Sequence, residues 1–242
     1  MLTGFQAHPN DTTLYVLVGS STSCLVPHPC ISHQTIDVPY WGGDTTIPEP
    51  RPVYQINNTY PGTDAAAGAS AAFAACSNLY ANRLFNTSTY SSATLQNSSY
   101  AQTLLSHAQT LYSFAVNATG GLKTYQTSVP AVNGSYPSSS YGDELAIAAL
   151  FLSRATEAGD LYNQAESYYS YYNVSEQNRV FNWDSKGPGL PVLFAQVAQS
   201  SANITGNFSK WQSISENYFD SIINGDSTGY MTRGLYIDSA SF

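Results

Sequence analysis

Apolar residues in this chain recur mostly at intervals of three and four, the spacing of one face of an α-helix. Between residues 100 and 115, the positions Ala101, Leu104, Leu105, Ala108, Leu111, Tyr112 and Ala115 share a face. Leu161, Tyr162, Ala165, Tyr168, Tyr169 and Tyr172 make a second stripe, and Phe208, Trp211, Ile214, Tyr218 and Ile222 a third, over 208–223. Two more helices are expected without a single stripe. Pro61-Gly62-Thr63-Asp64 caps one that runs to about residue 85, through the small side chains of Ala65-Ala66-Ala67-Gly68-Ala69. The other covers 143–157, ends at Gly159 and is apolar on nearly every face, which places it inside a core. Residues 190–199 form one more. No stretch alternates with the period of a strand.

These elements predict an all-α chain whose helical hairpins recur at roughly 30- to 50-residue intervals. Apolar inner helices alternating with amphipathic outer ones read as a toroid rather than a bundle. The fold class expected is all-α, an incomplete toroid of helical hairpins. The span 1–242 is read as one partial domain, irregular and loop-rich over 1–60 and built of hairpins over 61–242. Such an arc leaves inner faces such as Leu145 to Leu152 short of neighbours. Exposed apolar patches and a molten or aggregating chain are therefore expected.

Composition narrows the partners. Only 10% of the 242 residues are charged and the net charge is −8, which argues against nucleic acid and anionic membranes. No run of eighteen apolar residues is present to span a bilayer. Nor does a leader follow Met1, yet Asn-x-Ser/Thr sequons stand at Asn10, Asn57, Asn86, Asn97, Asn117, Asn133, Asn173, Asn203 and Asn207. Nine sequons point to a secreted eukaryotic glycoprotein, and the leader is read as missing sequence. Cys24 and Cys30 lie close together in a Pro-rich loop, as a local disulfide requires, and Cys76 is expected to be a buried helical thiol.

The segment Tyr141-Gly142-Asp143-Glu144-Leu145-Ala146-Ile147-Ala148-Ala149-Leu150 places two acids at the start of the most apolar helix. It resembles the inner-helix motif of family 9 glycoside hydrolases, the inverting β-1,4-glucanases. Other segments resemble that family in the same order. They are Tyr15-Val16-Leu17-Val18-Gly19, Asp37-Val38-Pro39-Tyr40-Trp41-Gly42, Arg51-Pro52, Pro61-Gly62-Thr63-Asp64, Phe181-Asn182-Trp183-Asp184-Ser185-Lys186 and Tyr230-Met231-Thr232-Arg233-Gly234-Leu235.

The resemblance implies a secreted endo-1,4-β-glucanase acting on cellulose or related β-glucans, monomeric in its full-length form. It also makes this chain an incomplete (α/α)6 barrel with about half of the helices of the full ring. Inverting glycosidases need a base and an acid carboxylate roughly 6.5–9.5 Å apart. In the family these lie in an Asp-Ala-Gly-Asp segment before the first of these motifs and an Asn-Glu segment after the last. The chain is therefore expected to be an internal fragment with no catalytic residue of its own, inactive alone. Asp143 and Glu144 cannot replace the pair, because adjacent helical side chains diverge by about 100°.

The resemblance further implies a structural Ca²⁺ held by Asp143, Glu144 and Asp184 with backbone oxygens near Ser139 and Ser140. Carboxylates from two segments suit a hard cation. Read from the residues alone, Asp143 caps the helix and Glu144 complements its dipole. Aromatic platforms for glucose rings fall on Trp41, Tyr40, Tyr136 and Trp183. Two positions depart from the family pattern. Val38 stands where a substrate-contacting His is usual, with His33 a possible substitute, and Ser138–Ser140 replaces a segment that often holds Trp. His107 is expected to be an ordinary, partly buried residue. A non-catalytic glucan-binding protein made from a degenerate barrel is the alternative reading.

Overall fold

The computed structural model describes residues 11–18, 40–46, 53–83, 85, 95–130, 137–176, 180–224, 230–231 and 235–236. Its helices are α1 (Thr63–Tyr80), α2 (Ser98–Asn117), a single turn α3 (Tyr125–Ser128), α4 (Gly142–Thr156), α5 (Gly159–Tyr171), α6 (Leu190–Ser200) and α7 (Phe208–Ile223). The all-α expectation holds, with most predicted boundaries met within about two residues. The far end of α1 differs. Asn82 adopts the left-handed conformation (φ 58°), and Arg83 N–H donates to Asn78 O at 2.8 Å, so the helix closes at Tyr80 rather than near residue 85. Glu157 (φ 55°) ends α4 in the same way, and Gly159 begins α5 instead of terminating α4.

The irregular reading of 1–60 needs correction too. Strand β1 (Leu14–Val18) pairs antiparallel with β2 (Val53–Ile56), in a register that shifts between Tyr15 and Leu17. A short antiparallel pair, β3 (Tyr230–Met231) and β4 (Leu235–Tyr236), lies near the other end of the chain. Neither pairing shows as alternation: Leu14-Tyr15-Val16-Leu17-Val18 is apolar almost throughout, and its partner is distant in sequence. Ile56 is fully buried and anchors β2 to the core.

Three hairpins, α1/α2, α4/α5 and α6/α7, stand side by side. Helix α4 occupies the centre, packed against α1, α2, α5 and α6, and twelve of its fifteen residues are buried. By contrast, α7 buries only Trp211 and is an outer helix. Small residues let α1 approach α2: Ala66, Ala67, Ala71 and Ala74 are buried, and two serines between them fasten the pair. Ser70 Oγ donates to Ala108 O at 2.7 Å and Ser77 Oγ to Ala101 O at 2.8 Å. An aromatic knot joins α5, α6 and α7. Phe194 stacks on Trp211 at 4.1 Å, with Tyr162 and Tyr169 edge-on to Phe194. Trp211 Nε1 donates to Glu166 Oε1 at 2.9 Å, so its polar atom is satisfied.

The expected exposure of the Leu145 to Leu152 face is overturned. Leu145 and Leu150 are fully buried and Leu152 is 1% exposed, because α4 has inner neighbours on both flanks and outer helices behind it. The two ends of the arc are distinct. Thr63 N–H donates to Lys123 O and Lys186 N–H to Asp143, so the starts of α1, α4 and α6 gather at one end. At the other end Asn78 donates to Phe151 O, Arg83 to Ala155 O and Asn203 to Glu157, joining the helix C-termini.

Truncating Leu150 to Ala removes about 2–5 kcal/mol of stability through the cavity left in α4. The same change at Leu79, 41% exposed, costs about 0.5 kcal/mol or less. Chemical denaturation of the two variants measures the difference, and similar losses would contradict the central placement of α4.

Candidate functional site

The end where α1, α4 and α6 begin carries the predicted metal residues and one predicted aromatic. Gly142 opens α4, and a Cβ there would lie 2.4 Å from Tyr172 Cβ, so only glycine permits this entry. The next two residues are acids and both are inside: Asp143 is fully buried and Glu144 is 5% exposed. Asp143 does not cap its own helix. The N-cap is Tyr141 with no side-chain cap bond, and Asp143 Oδ2 instead accepts from Lys186 N–H at 2.8 Å, across to the 181–189 loop.

Lys186 makes two further bonds. Its Nζ donates to Glu144 Oε1 and to Trp183 O, each at 2.7 Å. Asp184, next in that loop, accepts from Ser139 N–H at 2.8 Å. Asn182 Oδ1 accepts from the N–H groups of Asp184 and Ser185 and sets the turn. The upstream loop is braced by Ser138 Oγ donating to Ser140 O at 2.8 Å and Gly142 N–H donating to Ser140 Oγ at 3.1 Å. Thus Lys186 links Asp143, Glu144 and Trp183, while Asp184 of the same loop bonds Ser139. Lys186 received no role from the sequence. The available signal was its rarity, one of eight basic residues in the chain, inside a motif that already held an acid.

Charge at this site does not balance on side chains alone. Two buried carboxylates face one ammonium. Burial pushes the Glu144 carboxyl up to about 9, and the neighbouring Asp143 adds to the shift while Lys186 opposes it. Asp143 Oδ1 and Glu144 Oε2 are buried without a donor. A proton between the two acids or a bound cation meets that deficit. Calcium accepts such hard oxygens, so the donor chemistry fits, although among the described residues no three acidic, His or Cys side chains form a ready-made cage. Asp184 is the outlying member, holding Ser139 instead.

A second buried acid works similarly. Asp64 is 4% exposed and was expected to cap α1, yet the N-cap is Gly62 without a side-chain bond. Asp64 Oδ1 accepts from Tyr125 N–H at 2.9 Å, tying α3 to α1, and burial raises its pKa. Gln126 Oε1 then accepts from Ser138 N–H at 3.3 Å, linking α3 to the loop before α4.

The aromatic candidates separate. Trp183 is 54% exposed on the pinned loop. Trp41, in the 40–46 segment before β2, is 95% exposed, whereas Tyr40 curls back and its hydroxyl donates to Gly43 O at 2.6 Å. Tyr136, His33, Val38 and the Cys24–Cys30 pair lie outside the described residues. Cys76 is a free, half-buried thiol rather than a fully buried one. His107 is partly buried and pairs with Asp11 at 2.9 Å.

An arc of α/α hairpins, whose inner helices begin at one end beside buried acids and the exposed Trp183, is the frame of an α/α barrel. The chain belongs to glycosyl hydrolase family 9, whose sequence model matches residues 3–241. It is 33% identical over 218 residues to Endoglucanase 15 of Arabidopsis thaliana, covering 88% of this chain and 37% of that protein. Endoglucanase 24 of rice (Oryza sativa subsp. japonica) is 32% identical over 210 residues, 83% of this chain and 33% of that one. The endoglucanase structure of the termite Nasutitermes takasagoensis superposes with a TM-score of 0.74 at 28% identity, over 97% of this chain and 46% of that chain. The hairpins are accordingly part of an (α/α)6 barrel. The chain spans about a third of these curated relatives and under half of the termite structure.

Protonation of Glu144 sets a pH dependence. The folded carboxyl, near 9, lies above its ordinary value of 4.5, so its stabilising contribution is full below 4.5 and lost as pH rises towards 9. In chelator-treated protein, denaturation midpoints fall between pH 5 and pH 8, and Glu144→Gln flattens that fall. Equal falls in both proteins would show that Glu144 is not the group responsible.

Proposed function

We propose that this chain is part of an inverting endo-1,4-β-glucanase and that the end carrying Trp183 lines its glucan cleft. One observation carries the reading. In a family 9 chain, a half-exposed tryptophan stands on a loop fixed by buried Asp143 through Lys186. A flat ring held this way suits stacking on the apolar face of a glucose unit, whereas a freely moving one loses entropy on binding. Trp41 is the second platform, and Tyr40 and Tyr136 flank it in sequence or follow from the family pattern. The partner is a neutral β-glucan chain, in keeping with a low-charge, acidic surface. Secretion is part of the same reading, supported by the sequons, as is a monomeric complete protein.

The residues of the site have positioning roles. Asp143 holds the 181–189 loop by its backbone, Lys186 joins that loop to Glu144, and Asp184 holds the 137–140 loop. Both buried acids are shut away from a polysaccharide, so neither is assigned as acid or base. The base and acid come from elsewhere in the complete protein, since the Asp-Ala-Gly-Asp and Asn-Glu segments do not occur in these 242 residues. Water would be activated on one face of the sugar while the leaving oxygen is protonated from the other. A Ca²⁺ ion, when bound, would supply positive charge to Asp143, Glu144 and Asp184 and stiffen the two loops.

Early hydrolysis products of the complete protein on a soluble β-1,4-glucan, followed by proton NMR, carry the α-anomer. Initial β-anomer would contradict inversion. Trp183→Ala raises KM about 2- to 10-fold, the value of one lost stacking contact. An unchanged KM would remove Trp183 from the cleft.

Calcium raises the melting temperature of the chelator-treated protein, and Asp143→Asn abolishes the rise. A melting temperature indifferent to calcium would refute the metal assignment.

A further inference from the structure

We propose that Asn97 and Asn207 are N-glycosylated, each at the cap of an outer helix on the end of the arc remote from the candidate glucan site. The proposal rests on the secretory reading of the chain and adds the positions to it.

Six of the nine sequon asparagines fall among the described residues, and none lies on the inner helices α1, α4 or α6. They are not equivalent. Asn57 is half-buried, and its Oδ1 accepts from the N–H groups of Thr59 and Tyr60. Asn117 and Asn203 already use the nitrogen that a glycan would take. Asn117 Nδ2 donates to Ser113 Oγ at 3.3 Å and Asn203 Nδ2 to Glu157 Oε2 at 2.7 Å. Asn173 is exposed, but the next residue, Val174, lies against the loop that holds Lys186: a Cβ on Gly187 would meet Val174 O at 3.0 Å.

Asn97 and Asn207 differ from all four. Each is the exposed N-cap of an outer helix, α2 and α7 respectively. Among the described residues each is bonded through its oxygen: Asn97 Oδ1 accepts from Tyr100 N–H at 2.9 Å and Asn207 Oδ1 from Lys210 N–H at 3.0 Å. The sequon serines, Ser99 and Ser209, are exposed. Glycosylation joins Nδ2 to C1 of the first sugar, taken from a lipid-pyrophosphate-linked oligosaccharide. The C1–O bond to pyrophosphate breaks, the lipid pyrophosphate leaves, and one Nδ2 proton is lost. The capping oxygen is untouched, so the folded helix start accommodates the modified side chain without giving up its cap.

Position is the second argument. Asn97 N–H donates to Tyr80 O, beside the C-terminus of α1. Asn207 follows the turn after α6 that reaches Glu157 at the end of α4 through Asn203. Both lie at the end where inner helices finish, away from Asp143, Lys186 and Trp183. Bulky glycans there leave a polysaccharide's approach to the opposite end open.

The test uses the complete protein recovered from the medium of a eukaryotic host. Glycosidase release in heavy-oxygen water, followed by peptide mass spectrometry, marks occupied asparagines as labelled aspartate. Label at both Asn97 and Asn207 is expected. An unmodified asparagine at either position in secreted protein overturns the proposal without touching the secretory reading, because only exported molecules are analysed. Ser99→Ala and Ser209→Ala keep the capping asparagine, and each should lower the mass by one glycan. A mass unchanged by either substitution also overturns it. Asn97→Asp and Asn207→Asp, which keep a capping oxygen, should give the same mass loss with circular dichroism unchanged.

Discussion

The arrangement at the candidate site depends on a buried carboxylate that serves a neighbouring loop rather than its own helix. Asp143 sits at the first turn of α4, fully out of water, and Oδ2 takes the backbone N–H of Lys186. Burying an acid is costly unless it is hydrogen-bonded or neutralised. Here the cost is offset by the Lys186 amide, the favourable end of the helix dipole and the nearby ammonium. Because that ammonium also spans Glu144 and Trp183 O, moving Asp143 would disturb the loop, its tryptophan and the second acid together. Asp64 repeats the device one hairpin away, binding the Tyr125 amide. Inner-helix acids thus act as fasteners for the loops that rise above them.

The same economy runs through the core. With few charges available, helices are joined by small side chains and by hydroxyl or amide bonds to neighbouring backbone. Ser70 and Ser77 fasten α2 to α1, and Asn78 reaches Phe151 O on α4. These bonds demand close helices, which the alanine-rich face of α1 allows. Such contacts explain why α4 is enclosed although the arc comprises three hairpins: its neighbours fit tightly on both flanks.

What could be read from sequence follows what is local. The stripes at Leu104, Ala108 and Leu111 and at Tyr162, Ala165 and Tyr169 are set by helical period, and their burial agrees. The all-round apolar run of α4 correctly marked the central helix. Left-handed Asn82 and Glu157 were not legible, since neither is glycine, and each ends a helix by backbone closure. Pairing of β1 with β2 is a long-range choice that leaves no alternation in Leu14 to Val18. At the site, the motifs marked both the start of α4 and the 181–189 loop, and the structure bonds the two through Asp143 and Lys186. The role of Lys186 was not visible, because it arises only when the 181–189 loop folds back onto the start of α4. Both capping assignments for acids failed for the same reason: a buried carboxylate found a distant amide more favourable than its own helix.

The central claim is that Asp143 pins the Trp183 loop through the Lys186 amide. Native-state hydrogen exchange at that amide tests it most directly. The account predicts that Lys186 N–H exchanges as slowly as core amides of α4, and that Asp143→Asn leaves the core slow while Lys186 exchanges much faster. A Lys186 amide that exchanges at the rate of an open loop in the unaltered protein would contradict it.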